Sequence, residues 1–192
     1  MEKYMNILHD ADIRDELCDF FEEMYGKVRF FDELTMGKSR ADIVMVTEQG
    51  LIGAEIKSDA DTYDRLARQV KDYDRFFDYN FVVVGTSHAH HIREHVPEHW
   101  GVITVEATDK KALDFYVLRE PKISPKIRLT NQLALLWRSE LAVIQKQNSL
   151  YKYPGKSKMY VKKYLLESVD KDLLKKQMLE VLFERDYSVF KD

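Results

Sequence analysis

Asp42, Glu55 and Lys57 are the residues whose types and spacing could do chemistry. They sit in two apolar runs, Ala41-Asp42-Ile43-Val44-Met45-Val46 and Leu51-Ile52-Gly53-Ala54-Glu55-Ile56-Lys57, joined by the turn-forming Thr47-Glu48-Gln49-Gly50. Such a pattern predicts a β-hairpin. If it is centred between Glu48 and Gln49, Asp42 faces Glu55, with Cβ atoms about 4.5–5.5 Å apart. Two carboxylates that close repel, and a divalent cation between them removes the repulsion. Alternation puts Lys57 on the same face as Glu55. Hard oxygen ligands suit Mg²⁺, which keeps several waters and accepts phosphate oxygens. Such an ion polarises a phosphate and acidifies a bound water. A neighbouring ammonium can orient that water or stabilise developing charge. The chemistry implied is metal-assisted phosphodiester hydrolysis. The competing explanation is a surface hairpin whose outer face carries Asp, Glu and Lys.

The elements that must position these residues can be read from periodicity. Ile13, Leu17, Phe20, Phe21 and Met24 predict a helix over 10–25, which Asp10 or Asp12 can cap and Gly26 ends. Val28 to Leu34 alternates as a strand, and Gly37-Lys38-Ser39 is a turn before the hairpin. Leu66, Val70, Tyr73, Phe76 and Phe77 form one stripe of a helix expected over 60–78. Asn80 to Gly85 contains Phe-Val-Val-Val, the pattern of a strand buried on both faces. A short helix over 88–96 and strands over 101–106 and 113–118 follow. This order predicts an α/β fold, a mixed central sheet flanked by helices. Pro121 and Pro125 suit neither a helix nor a central strand. They divide the chain into a domain over 1–120 and a helical extension over 121–192, with helices at 130–147, 157–167 and 170–185.

These elements resemble the PD-(D/E)XK nuclease superfamily, the restriction-endonuclease-like fold, over about residues 10–120. The resemblance rests on the helix before the sheet, on Arg40-Ala41-Asp42-Ile43-Val44 and on Glu55-Ile56-Lys57. Gln69-Val70-Lys71-Asp72-Tyr73 looks like the Gln-x-x-x-Tyr element of RecB-like branches. The wider stretch from Glu55 to Thr62, with Arg65, Leu66 and Gln69, is similar to a branch of small phage and bacterial proteins. No proline precedes Asp42, a departure from the superfamily's name. The resemblance implies Asp42 and Glu55 as ligands of Mg²⁺ or Mn²⁺, the Ile56 carbonyl as a third ligand, and Lys57 as the catalytic lysine. Gln69 and Tyr73 would lie over the site, since a four-residue step keeps them on one helix face. Members often add an acid from the first helix; Glu16 is the candidate, with Asp12 and Glu23 as rivals. Glu33 and Arg40 flank the site, as accessory groups or as a structural ion pair.

Other features compete for attention. His88, His90, His91, His95 and His99 are dense, and His91 and His95 have the spacing of a helical metal pair. No acid completes an HExxH pattern, so an exposed helix is the simpler explanation. Cys18 lies among apolar residues as an inert thiol, and one cysteine excludes a disulfide framework. The aromatic stripe Tyr73, Phe76, Phe77 and Tyr79 reads as core rather than as a base-stacking platform, with Tyr73 as the exception. Residues 141–166 hold six lysines and no acid, with four tyrosines interleaved. Lys152, Lys156, Lys158, Lys162 and Lys163 could grip a nucleic acid through counterion release, with tyrosines stacking on bases. A solvated helix face with core tyrosines is the alternative.

The bulk charge supports that division. The formal net charge is −3. Residues 121–192 hold 15 Lys and Arg against 8 Asp and Glu, leaving 15 against 25 in residues 1–120. On this count the extension, at +7, is the more plausible contact for a polyanion. No apolar run approaches the roughly 20 residues of a membrane span, and Met1 to Met5 lacks a signal-peptide core; a cytoplasmic protein is expected. The function implied is metal-dependent DNA hydrolysis, in phage or prophage DNA processing, repair or defence. A homodimer would be expected if both strands of a duplex are cut. The alternatives are a DNA-binding protein that uses a nuclease fold without cleavage, and a protein–protein adaptor with a basic tail.

Overall fold

The computed structural model describes residues 10–58, 62–86, 89, 91–108 and 112–187, with side chains from Ile13 onward. They pack as two compact units that meet in sequence at Ile127 and Arg128. The first unit begins with helix α1 (Asp10–Tyr25) and is built on six strands: β1 (Arg29–Met36), β2 (Ser39–Thr47), β3 (Gly50–Lys57), β4 (Tyr79–Gly85), β5 (Gly101–Ala107) and β6 (Leu113–Arg119). Helix α2 (Leu66–Phe76) links β3 to β4, and the single turn α3 (Ile92–His95) lies between β4 and β5. The strands lie in chain order in one sheet. β1, β2 and β3 run antiparallel, β3, β4 and β5 parallel, and β6 returns antiparallel to β5. This is the mixed α/β architecture that the patterning predicts.

Two helices bury opposite faces of the sheet. Ile13, Leu17 and Phe21, one turn apart along α1, pack into a core with Ile43, Met45, Ile52, Ala54 and Ile56. Strand alternation then turns Gly53, Glu55 and Lys57 to the other face, towards α2. Every residue of β3 is buried, so the hairpin is not a surface hairpin. Gly53 allows the close approach of α2: a Cβ there would meet Phe77 Cδ2 at 2.4 Å and Tyr73 Cδ1 at 2.8 Å. The helix expected from residue 60 begins at Leu66, and residues 59–61 lie outside the described ones. It ends where Phe77 turns extended, and Asp78 then accepts the Leu51 amide at 2.8 Å, fixing the start of β3 to the helix end.

The segment after Pro121 stays with the first unit. The Ser124 amide and hydroxyl donate to the carbonyls of Asp78 and Asp74, each at 2.7 Å. The Lys126 ammonium meets the fully buried Asp74 carboxylate at 3.1 Å. That carboxylate also takes His99 Nε2 and Trp100 Nε1, both at 2.9 Å.

The second unit is helical: α4 (Leu129–Gln132), a 3₁₀ turn (Leu133–Leu135), α5 (Arg138–Gln147), α6 (Lys158–Ser168) and α7 (Lys171–Phe183). A continuous helix over 130–147 is not what forms. Leu136 and Trp137 are extended, with ψ 148° and 164°. Glu140 accepts the Trp137 amide at 2.5 Å and starts α5 afresh. The buried Arg185 grips both Glu140 oxygens, at 2.6 and 2.7 Å, and donates to the Leu135 carbonyl at 2.8 Å. Three partners on one guanidinium outweigh the helical periodicity of the leucines. No described helix is long and apolar enough to cross a membrane.

Two outcomes test this packing. Gly53→Ala should cost about 1–3 kcal/mol by overpacking, while Gly155→Ala, which meets nothing within 4 Å, should be near neutral; urea midpoints compare them. A chain ending at Ile127 should be more stable than one ending at Glu120, by about 1–3 kcal/mol, because the shorter chain strips Lys126 and Ser124 from Asp74. Equal midpoints would place the boundary at Pro121.

Candidate active site

The β2–β3 ladder pairs Thr47 with Gly50, Met45 with Ile52 and Ile43 with Ala54, the register of a hairpin centred between Glu48 and Gln49. Asp42 and Glu55 follow directly beyond its last pair. There the Asp42 side chain replaces the ladder: its Oδ2 accepts the Ile56 amide at 2.9 Å. Both acids, with Ile56 and Lys57, line a cleft of about 540 Å³.

Glu55 is 1% exposed and Lys57 5%. A carboxylate withdrawn so far from water must be compensated, since desolvation of an ion costs several kcal/mol. Lys57 Nζ donates to Glu55 Oε1 at 2.6 Å, the Gln69 amide donates to the same oxygen, and the Tyr73 hydroxyl reaches Oε2 at 2.8 Å. That hydroxyl also lies 3.1 Å from the Ala54 carbonyl and accepts the Asp42 amide at 3.3 Å. Burial, and then the charges of Glu55 and Asp42, hold the Tyr73 phenol well above its usual pKa. Tyr73 is therefore a permanent donor to Glu55 rather than a base. The four-residue step between Gln69 and Tyr73 thus aims two donors at one carboxylate. The Gln69 Oε1 is buried and finds no hydrogen-bond partner among the described residues.

The accessory acids of the first helix fall elsewhere. Glu16 accepts the Leu113 amide at 2.8 Å and ties α1 to β6, the far edge of the sheet from β1. Glu23 is exposed beside Phe20, Met24 and β6. The Asp12 side chain lies outside the described ones. What α1 does bring to the site is a cation: Arg14 donates to the Asp42 carbonyl at 3.0 Å and lies 3.8 Å from Asp32. Sequence reasoning missed it, because an arginine on the polar side of a helix carries no signal of its target. Glu33 and Arg40 form an exposed ion pair at 3.1 Å, with Arg40 on the cleft wall. Among the described residues no group of three or more His, Cys, Asp or Glu could hold a metal. His99 is committed to Asp74, His95 stacks on Tyr63 at 4.3 Å, and His88 and His90 lie outside the described residues. Burial pushes the Cys18 thiol up to about 11, in keeping with an inert side chain.

The remaining donors suit a hard cation that keeps most of its water. Asp42, Glu55 and the neighbouring Ile56 carbonyl are all oxygen donors, and two acids are too few for a closed protein cage. The orphaned Gln69 Oε1 adds an oxygen that calls for a partner, such as a bound water.

In the second unit the lysine-rich segment is partly committed to its own structure. Lys158 and Lys162 donate to the carbonyls of Ala134 and Thr130, at 2.7 and 3.3 Å, and Lys163 lies 3.7 Å from Glu167. Tyr153 gathers Tyr151, Tyr160 and Tyr164 around it, with ring centroids 4.8–5.2 Å apart. Lys152 and Lys156 are exposed.

Fold and cleft together define an α/β protein with a buried carboxylate–lysine pair at the mouth of a polar cavity. The chain matches the family described as bacteriophage P4 protein cII over residues 3–191, and it belongs to that family. No curated protein matches it. Among solved structures it is similar to SfsA of Pyrococcus furiosus, solved in complex with Ca²⁺, at 15% identity and a TM-score of 0.34. That likeness covers 59% of this chain and 60% of the SfsA chain, and at that distance it carries no argument about residues.

The buried pair has a measurable signature. Lys57→Met should destabilise the protein by about 3–5 kcal/mol, because it leaves a buried carboxylate without its cation. Adding Glu55→Gln to that variant should recover most of the loss. A double variant as unstable as the sum of the two singles would show that the pair is not coupled.

Proposed function

We propose that this protein hydrolyses phosphodiester bonds of DNA with Mg²⁺ or Mn²⁺, through Asp42, Glu55 and Lys57. The observation that carries the reading is the burial of a carboxylate and an ammonium side by side at an open cleft. Buried ion pairs are a poor source of stability, and an apolar pair of similar volume often serves folding as well or better. A charged pair kept at this point is therefore better explained by chemistry than by packing. The PD-(D/E)XK resemblance of its motifs supports a nuclease reading and favours DNA over RNA as the substrate. Membership of a phage family suits phage or prophage DNA processing, repair or defence.

In this reading Asp42, Glu55 and the Ile56 carbonyl would hold the ion, which when bound would supply Lewis-acid polarisation of the scissile phosphate and a more acidic water. Gln69 and Tyr73 fix the Glu55 carboxylate so that its orientation is set before substrate arrives. Arg14 holds the backbone of Asp42 in the same way. Lys57 must leave Glu55 Oε1 for that oxygen to ligate a cation, and its ammonium is then placed to orient the water or to meet charge developing on the phosphate.

The test is cleavage of single-stranded, duplex and branched DNA by the purified chain, with and without EDTA. Wild type should cleave at least one form with Mg²⁺ or Mn²⁺. Lys57→Met and Glu55→Gln should each lose about 10²–10³ in rate or more. Millimolar Mn²⁺ should raise the melting temperature of wild type by mass action, and that of Asp42→Asn less. Activity persisting in both site variants would refute the assignment. Metal-dependent DNA binding without cleavage of any form would favour a binding protein that has kept the fold.

A further inference from the structure

The first unit is acidic as a whole, yet the wall of its cleft is basic. Its lining includes Lys38, Arg40, Lys57, Arg65 and Arg68 against the acids Asp42 and Glu55. Lys57 is taken by Glu55 and Arg40 lies beside Glu33. Among the described residues Lys38, Arg65 and Arg68 enter no ion pair, and all three are exposed. Among the described residues, two acids close to them in sequence, Asp64 and Asp72, are already engaged. Asp72 accepts the Ser39 hydroxyl at 2.7 Å and the Lys38 amide at 3.2 Å, clamping the β1–β2 turn, and Asp64 accepts the Thr62 hydroxyl at 3.1 Å.

Their placement works against the stability of α2. A helix N-terminus is stabilised by acids and destabilised by cations, because the macrodipole is positive there. The first turn of α2 contains no acid, its cap residue is Arg65 with no side-chain cap bond, and Arg68 follows one turn on. Two guanidinium groups at the positive end of a helix, beside an open cleft, make a concentrated positive field that attracts anions. In the same cleft the buried Gln69 Oε1 has no partner among the described residues. By contrast, three of the five lysines from Lys152 to Lys163 are engaged with carbonyls or with Glu167.

We infer that Lys38, Arg65 and Arg68 form the track that grips the phosphate backbone of a nucleic-acid strand, and that the C-terminal lysines do not. This deepens the hydrolase reading and rests on it for the position of the scissile phosphate. The guanidinium groups of Arg65 and Arg68 would take phosphates flanking the one at Asp42 and Glu55, through paired N–H donors. Lys38, on the clamped β1–β2 turn that also lines the cleft, would take a further phosphate as a point charge.

The experiment is salt-dependent binding of fluorescent 20-nucleotide single-stranded and duplex DNA to the full chain. It is done in EDTA, where no cleavage occurs, and again with Ca²⁺. Compared with wild type, Arg65→Gln/Arg68→Gln should flatten the plot of log affinity against log salt, by about 1.8 for duplex and about 1.4 for single strand. Lys38→Gln should flatten it by about half as much. Lys152→Ala/Lys156→Ala should change neither slope nor affinity. Both arginines are exposed, so thermal melting should show the variants folded; single Arg68→Gln serves if the pair does not fold. Unchanged slopes in the cleft variants overturn the inference, as does a loss confined to the Lys152/Lys156 variant. DNA binding with these slopes but no cleavage would leave the track standing and sink the hydrolase. No binding to either strand form would sink both.

Discussion

The Glu55 carboxylate is the constraint on which the rest of the first unit depends. It stands on a strand buried on both faces, so water cannot compensate it. Its compensation has to come from the chain, through Lys57 on the same strand and Gln69 and Tyr73 on α2. Those two reach it only if α2 lies against β3, and α2 lies there only because Gly53 has no side chain to hold it off. Asp78 then pins the end of α2 to the start of β3. The polar site and the packing of this face are therefore one structure, and neither can be altered alone.

The same constraint explains why Glu16 and Glu23 of α1 lie away from the site. The even-numbered residues of β3 face α1, and that side is wholly apolar, with Ile52, Ala54 and Ile56 against Leu17 and Phe21. A carboxylate from α1 would have to cross the sheet to meet Glu55. Glu16 instead satisfies the backbone of β6, and Arg14 reaches round to the Asp42 carbonyl. Among the described residues the site is left with two acids, which sets it apart from a closed metal cage.

Much of this was legible in the sequence where short-range rules govern. The hairpin register follows from a four-residue turn between two apolar runs, and it brings Asp42 and Glu55 to adjacent places just beyond the last ladder pair. The Gln69–Tyr73 step needed only helical periodicity. The run Phe81 to Val84 declared a strand buried on both faces through its lack of alternation. The expected helix over 130–147 failed for a tertiary reason: its leucines have the right period, but Arg185, far along the chain, holds Glu140 and the Leu135 carbonyl in a geometry that a straight helix would not present. The order of β1 to β6, and so the distance of Glu16 from the site, also lay beyond periodicity.

Charge was the least legible property, because composition counts residues and a site counts directions. The C-terminal segment has the dense lysines, yet long side chains with apolar stems readily lie along a surface and give their ammonium groups to nearby carbonyls. Lys158 and Lys162 do so. The cations around the cleft come from places that a sequence window never joins: Lys38 from a turn clamped by Asp72, Arg65 and Arg68 from the start of α2. They converge only because the β1–β2 turn and the N-terminus of α2 border the same end of β3. A unit with eight excess acids can thus present a basic wall to a phosphate, since at a Debye length of about 8 Å the local arrangement outweighs the distant sum.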